Sequence, residues 1–255
     1  MSKIKFKESM IKDINNSPIW TMLEYNYDKY YITEQTDINI PKKIHQIWLG
    51  GDIPDKYRRL ISTWREKNPD WEYRLWTDSD IENFGLSNID KFNSISNLGA
   101  KSDIFRYEIL YRHGGLYIDT DFECLSSFDD LLYLDFFAGT GHVSSPEVFN
   151  GLIACKPEHS LIKKLIDDIK VVQTEDWDEI LSLTGPKYFS NKLFNYINEH
   201  LDEKIVVFPT PFFYPFPMHY RHMTKIDNIE SQNIVKQFNT NESHCTHLWY
   251  TSWQK

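Results

Sequence analysis

The chain has 255 residues, 41% of them apolar and 15% aromatic, which is ample material for one large packed α/β domain and excludes a disordered chain. A formal net charge of -9 argues against general affinity for nucleic acid or anionic membrane, while leaving room for a local basic pocket. The three cysteines, Cys124, Cys155 and Cys245, form no CxxC pair, so a zinc cluster or a disulfide framework is not expected and a reducing compartment is.

Residues 1–40 are polar with scattered aromatics and read as a helical or irregular extension that leans on a single domain over 41–255. No apolar run is long enough for a signal peptide or a transmembrane helix, so a cytoplasmic location is expected. Residues 44–49 form a short apolar strand ended by Gly50-Gly51. Residues 54–67 carry helical spacing, with Pro54 at the start and Tyr57, Leu60, Ile61 and Trp64 on one face. Residues 71–76 alternate as a second strand, and Thr77-Asp78 opens another helix with a capping residue.

The spacing then predicts a helix over 98–113, stopped by Gly114-Gly115. A brief buried strand over 116–118 ends in Asp119-Thr120-Asp121. Further strands are expected at 136–139, 148–154 and 205–208, and helices at 161–171 and 187–199. The order β-α-β-α-β followed by mixed elements predicts a Rossmann-like α/β sandwich. Ligands of such sheets bind at the carboxyl ends of strands, where Gly50-Gly51 and Asp119-Thr120-Asp121 fall.

Two carboxylates one residue apart at the end of an apolar strand can hold a hard cation through oxygen. Such a cation would neutralise a diphosphate and help a nucleoside diphosphate depart. Asp103 and Arg106 lie three apart and share a helix face. Their plain reading is a surface ion pair contributing ~0.5 kcal/mol. In the functional reading, Asp103 accepts from sugar hydroxyls while the planar fork of Arg106 contacts sugar or carboxylate oxygens. A phosphatase of the haloacid dehalogenase type also places Asp-x-Asp after a strand, but it wants Thr or Val where this chain has Glu123, and it wants the motif near the first strand.

The run from Ile40 through Gly50 (IPKKIHQIWLG), the Ser-Asp-x-x-Arg-Tyr helix, the Gly-Gly-x-Tyr-x-Asp-x-Asp strand and the late His-x-Trp-x-x-Ser-Trp occur in that order from about Pro41 to Trp253. Together they resemble the DXD-containing glycosyltransferase family of the yeast initiating α-1,6-mannosyltransferase type, with the glucosyltransferase domains of large clostridial toxins as more distant likenesses. The resemblance implies a GT-A fold with a mixed central sheet and additional helices. It also implies a UDP- or GDP-hexose donor, Mn2+ or Mg2+, and transfer with retention to a hydroxyl of a glycan or small-molecule acceptor. An inactive carbohydrate- or nucleotide-sugar-binding protein on the same fold is the alternative.

Carried over residue by residue, Trp48 would stack on the donor base near Gly50, with a core tryptophan as the other reading. Asp103 and Arg106 would bind the donor sugar. Asp119 would touch ribose or sugar and reach the metal, and Asp121 would ligate it directly. His247 would complete the metal site, with His244 as its competitor, and an imidazole ligand would favour Mn2+ modestly. Ser252 or Trp253 would approach the diphosphate. The Asn150 amide, in Asn150-Gly151 just before a strand, would face the reacting anomeric carbon. Thr184-Gly185-Pro186 would shape the acceptor side. Phe208 through Pro217 (FPTPFFYPFP) would line a sugar cleft with aromatic faces or form a rigid cover.

Overall fold

The computed structural model describes residues 4–7, 10, 17–32, 37–170, 174, 176–224 and 228–250. Helix α1 (Pro18–Tyr30) begins at Ser17, whose side chain accepts from the Ile19 N–H, and Pro18 sits where a missing N–H costs nothing. Its Trp20, Leu23 and Tyr27 are fully buried, so this part of the amino-terminal segment contributes to the core.

Strand β1 (Lys43–Ile47) leads to α2 (Asp55–Lys67), which turns Tyr57, Ile61 and Trp64 inward. Strand β2 (Glu72–Trp76) is followed by α3 (Asp78–Phe84), at whose start Asp80 accepts from the Thr77 N–H, and by α4 (Ile89–Ser94). Helix α5 (Leu98–His113) has the expected bounds: Asn97 accepts from the Ala100 N–H at one end, and Gly114 caps the other at φ 59°. Then come β3 (Gly115–Ile118), β4 (Phe122–Cys124), β5 (Phe136–Gly139) and β6 (Phe149–Cys155). Helices α6 (Ser160–Asp168), α7 (Trp177–Leu183) and α8 (Pro186–Glu199) precede β7 (Ile205–Phe208). Helices α9 (Thr210–Phe213) and α10 (Ile229–Lys236) and strand β8 (Cys245–His247) complete the described chain.

Six strands form one mixed sheet in the order β2-β1-β3-β6-β5-β7. Strand β1 runs parallel to β2 and β3, β5 runs parallel to β7, and β6 is antiparallel to both of its neighbours. This is the α/β sandwich expected from the element order, with the mixed central sheet that the family resemblance implies. A separate two-stranded ribbon pairs β4 with β8 and sets Phe122 opposite His247.

Four local expectations change. Gly115 opens β3 instead of ending α5: its φ is 90°, and a Cβ there would lie 2.6 Å from the Lys43 carbonyl oxygen. Only glycine lets β3 close on β1 at this point. Helix α6 stops at Asp168, short of residue 171, because Ile169 is extended (ψ 124°). Asn150 and Gly151 lie inside β6, not before it. The stretch 208–217 is mainly core: Phe208, Phe212, Phe213 and Phe216 are buried, α9 forms within it, and Tyr214 is its contribution to the cavity described below. Among the described residues, no helix is long and apolar enough to cross a membrane.

Candidate active site

Strand β3 is held at both ends by neighbouring polar residues of β1. Buried His45 donates from Nε2 to the Gly114 carbonyl at 3.0 Å and accepts at Nδ1 from Trp76 Nε1 at 3.2 Å. Burial pushes its imidazole down to about 3, against the raising effect of the Gly114 carbonyl, so the ring is neutral and the donor and acceptor roles are fixed. Gln46 donates to the Asp119 carbonyl at 3.2 Å and accepts from the Tyr73 hydroxyl at 2.7 Å. The strand thus delivers Asp119 to a defined place, and the Asp119 N–H adds a 2.8 Å bond to Gly151.

A cavity of about 420 Å3 opens there, at the carboxyl ends of β1 and β3. Trp48, Asp103, Arg106, Asp119, Asp121, Asn150 and His247 all line it. Asp119, Asp121 and His247 each offer one ligand atom, and these atoms lie within 4.8 Å of one another. His247 Nε2 is 3.0 Å from Asp121 Oδ2. The contact follows from the β4-β8 ribbon, in which Leu248 N–H donates to the Asp121 carbonyl and the His247 ring stacks on Phe122 at 4.2 Å. Two hard carboxylates and an imidazole suit a divalent cation such as Mn2+ or Mg2+. His247 Nδ1 is buried without a protein partner. The competing histidine lies elsewhere. His244 donates from Nδ1 to the Ser127 carbonyl at 2.8 Å and packs on Phe128, at the far end of β8.

Beside this group, Asp103 and Arg106 form an ion pair at 3.1 Å that is buried, correcting the surface reading. Asn150 of β6 and Thr184, between α7 and α8, bond to the pair, so only its cavity edge stays open. Arg106 also contacts Asp119 Oδ1 at 3.3 Å, donates from Nη1 to the Asn150 carbonyl, and lies over the Tyr117 ring at 4.5 Å. Burial opposes its charge, but Asp119, Tyr117 and Asp103 outweigh that and hold the guanidinium above its ordinary value. Burial raises the carboxyls of Asp103 and Asp119, with Arg106 pulling each back.

Trp48 is half-buried, with its ring 4.7 Å from Tyr57 and another part on the cavity. Gly50 adjoins the cavity without lining it, and its N–H goes to Asp78 at 2.9 Å. The Asn150 amide is turned to Asp103 at 2.8 Å and to the Tyr107 hydroxyl at 3.2 Å. Ser252 and Trp253 lie outside the described residues. Several contributors stand in the quoted motifs without a role assigned to them there. Tyr117 donates to Asp119 Oδ1 at 2.7 Å, and a Cβ on Gly151 would lie 2.7 Å from Asp119 Oδ2. Trp249 packs on the His247 ring at 4.0 Å with φ 58°, a rare state for a bulky residue. The role of the Tyr in Gly-Gly-x-Tyr-x-Asp could have been found by period-two spacing to Asp119; those of Gly151 and Trp249 follow from long-range packing.

Residues 54–137 match the family described as the glycosyltransferase sugar-binding region containing a DXD motif, and Asp119-Thr120-Asp121 falls within that match. That match spans about a third of the chain and is a likeness to the DXD glycosyltransferases. It is 30% identical over 154 residues to inositol phosphoceramide mannosyltransferase 2 of Schizosaccharomyces pombe, a match spanning 58% of this chain and 44% of that protein. The chain is also 26% identical to an uncharacterized glycosyltransferase of Acanthamoeba polyphaga mimivirus, over 69% of this chain and 73% of the relative. The initiation-specific alpha-1,6-mannosyltransferase of Candida albicans is 23% identical, over 76% and 67% respectively. Against the fission-yeast relatives, the chain spans about half of their length or less. The solved PaToxG glycosyltransferase has a TM-score of 0.51 at 22% identity, covering 72% of this chain and 77% of the other, a likeness of fold. The six-stranded mixed sheet is that of a GT-A glycosyltransferase.

Proposed function

We propose that the cavity binds a nucleotide sugar and transfers its hexose, with retention, to a hydroxyl of a glycan or small-molecule acceptor. The observation that carries this reading is the convergence of Asp119, Asp121 and His247 within 4.8 Å beside the buried Asp103–Arg106 pair. UDP- and GDP-hexoses are the donors considered, GDP-mannose finding support in the mannosyltransferases among the relatives.

Asp119, Asp121 and His247 would hold Mn2+ or Mg2+, with the imidazole favouring Mn2+. When bound, the cation supplies positive charge that stabilises a departing diphosphate. The remaining chemistry belongs to the chain. The Trp48 ring provides a face for the base. Asp103 accepts from a sugar hydroxyl, and Arg106 holds Asp103 and Asp119 in place as positive charge develops on the sugar. Asn150 anchors Asp103 and lines the space in which the anomeric carbon would lie. With reactants oriented and charges preset, most of the rate gain is positional and electrostatic, and front-face attack needs no strong protein base. A cytoplasmic setting belongs to the same reading, supported by three buried free thiols.

The test is a thermal-shift screen with UDP-, GDP-, ADP- and TDP-sugars, each with and without Mn2+. A metal-dependent rise with one nucleotide, lost in Asp121→Asn, is the expected result and names the base. No shift at millimolar ligand would overturn the reading, and a shift without sugar transfer or hydrolysis would leave a binding protein.

A further inference from the structure

Four buried side chains close a ring of hydrogen bonds behind the cavity wall. Asp103 Oδ1 accepts from Asn150 Nδ2 at 2.8 Å, and the same amide nitrogen reaches the Tyr107 hydroxyl at 3.2 Å. Tyr107 donates to the Thr184 carbonyl at 3.0 Å, and the Thr184 hydroxyl donates to Asp103 Oδ2 at 2.9 Å. All four residues are buried.

The proton positions are forced. An amide beside a carboxylate must present its NH2, and a phenol that accepts from that amide has its single proton left for a carbonyl. The Thr184 hydroxyl, facing a carboxylate oxygen, must donate. The ring therefore has one consistent arrangement, which suits a rigid support.

Its members come from different elements of the cavity wall. Asp103 and Tyr107 sit on α5 and Asn150 on β6, whereas Thr184 sits at the α7–α8 corner, where Ile180, Leu181, Pro186 and Lys187 line the space. A carboxylate has about four acceptor sites. On Asp103, Asn150 and Arg106 occupy Oδ1 and Thr184 occupies one site of Oδ2. One site on Oδ2 remains, on a side chain that is 10% exposed and lines the cavity.

We propose that Thr184 is a positioning residue for sugar recognition: its hydroxyl orients Asp103 so that the remaining lone pair of Oδ2 accepts from one hydroxyl of the donor sugar. The α7–α8 corner thereby sets donor-sugar selectivity although Thr184 itself does not touch the sugar. This rests on the nucleotide-sugar reading above.

Affinities for UDP, GDP, UDP-glucose and GDP-mannose, each with Mn2+, are measured by calorimetry for wild type, Thr184→Val and Thr184→Ser. Thr184→Val should bind the nucleoside diphosphate within about 2-fold of wild type but the matching nucleotide sugar about 10-fold more weakly, the loss of one charge-assisted hydrogen bond. Thr184→Ser should recover most of that loss. Equal weakening toward diphosphate and sugar, unchanged sugar affinity, or no recovery with serine overturns the positioning role. A folded wild type that binds none of the four ligands overturns the nucleotide-sugar reading itself and the proposal with it. If Thr184→Val does not fold, Tyr107→Phe removes the hydroxyl that holds the Thr184 carbonyl while sparing the bonds of Asp103. It must again weaken the nucleotide sugar, by about 3-fold, and leave the diphosphate unchanged.

Discussion

The two sides of the cavity floor treat their charges in opposite ways. On the α5 side, Arg106 faces Asp103 and Asp119, is anchored on the Ser102 and Asn150 carbonyls, and Asp103 gains two further donors. On the ribbon side, among the described residues, Asp121 pairs with His247, and His247 Nδ1 is left buried and unpartnered. Buried charge is costly unless compensated. The charges of the first side are compensated within the protein, and in the proposed reading the second is the one that gains from an external cation. The same few residues can therefore be structural on one side and functional on the other.

Substitutions on the two sides should separate stability from activity. The largest effect is expected from Arg106→Met, which strands two carboxylates and should lower unfolding free energy by about 3–5 kcal/mol. A urea midpoint close to wild type would show that this side is not the stabilising one. Asp121→Asn should leave stability within about 1 kcal/mol while lowering transfer activity about 100-fold and abolishing the Mn2+-dependent thermal shift. A large fall in melting temperature without metal would erase the contrast.

A smaller effect tests how closely the two sides abut. Gly151→Ala places a methyl carbon 2.7 Å from Asp119 Oδ2, and overpacking of this kind costs about 1–3 kcal/mol. Because Asp119 stands between Arg106 and Asp121, the variant should lose both stability and Mn2+ affinity. Loss of only one would assign Asp119 to one side.

The smallest effect is on pH dependence. His45 is held neutral with its value near 3, below the ordinary 6.5, so its contribution is fully present above pH 6.5 and is lost as pH falls toward 3. Urea midpoints between pH 8 and 4 should therefore fall more steeply for wild type than for His45→Gln. His159, held near 4 by burial, keeps part of the slope in the variant. Identical slopes would remove His45 from the clamp on β3.

The sequence by itself determined the elements with strong local signals. The helix over 98–113 has helix-forming residues without a proline and a closing glycine pair, and the Asp119-x-Asp121 pair follows an apolar strand, so both are written in consecutive residues. The family likeness, carried by several motifs in order, added the fold and named His247 as a partner for the acid pair. What it could not supply was which of the helical neighbours are buried. Asp103 and Arg106 look like an exposed i,i+3 pair until β6 and the α7–α8 corner close on them.

Only the tertiary structure decided that β4 and β8 exist at all, since three-residue strands have no measurable period and their pairing joins segments far apart in the chain. That pairing, and not any local feature, is what brings His247 to Asp121 and sends His244 to the far end of the same strand. The same holds for Thr184 and Asp103, whose hydrogen bond spans 81 positions and depends on the packing of α5 against the α7–α8 corner. Local chemistry names the groups, whereas long-range packing chooses their partners.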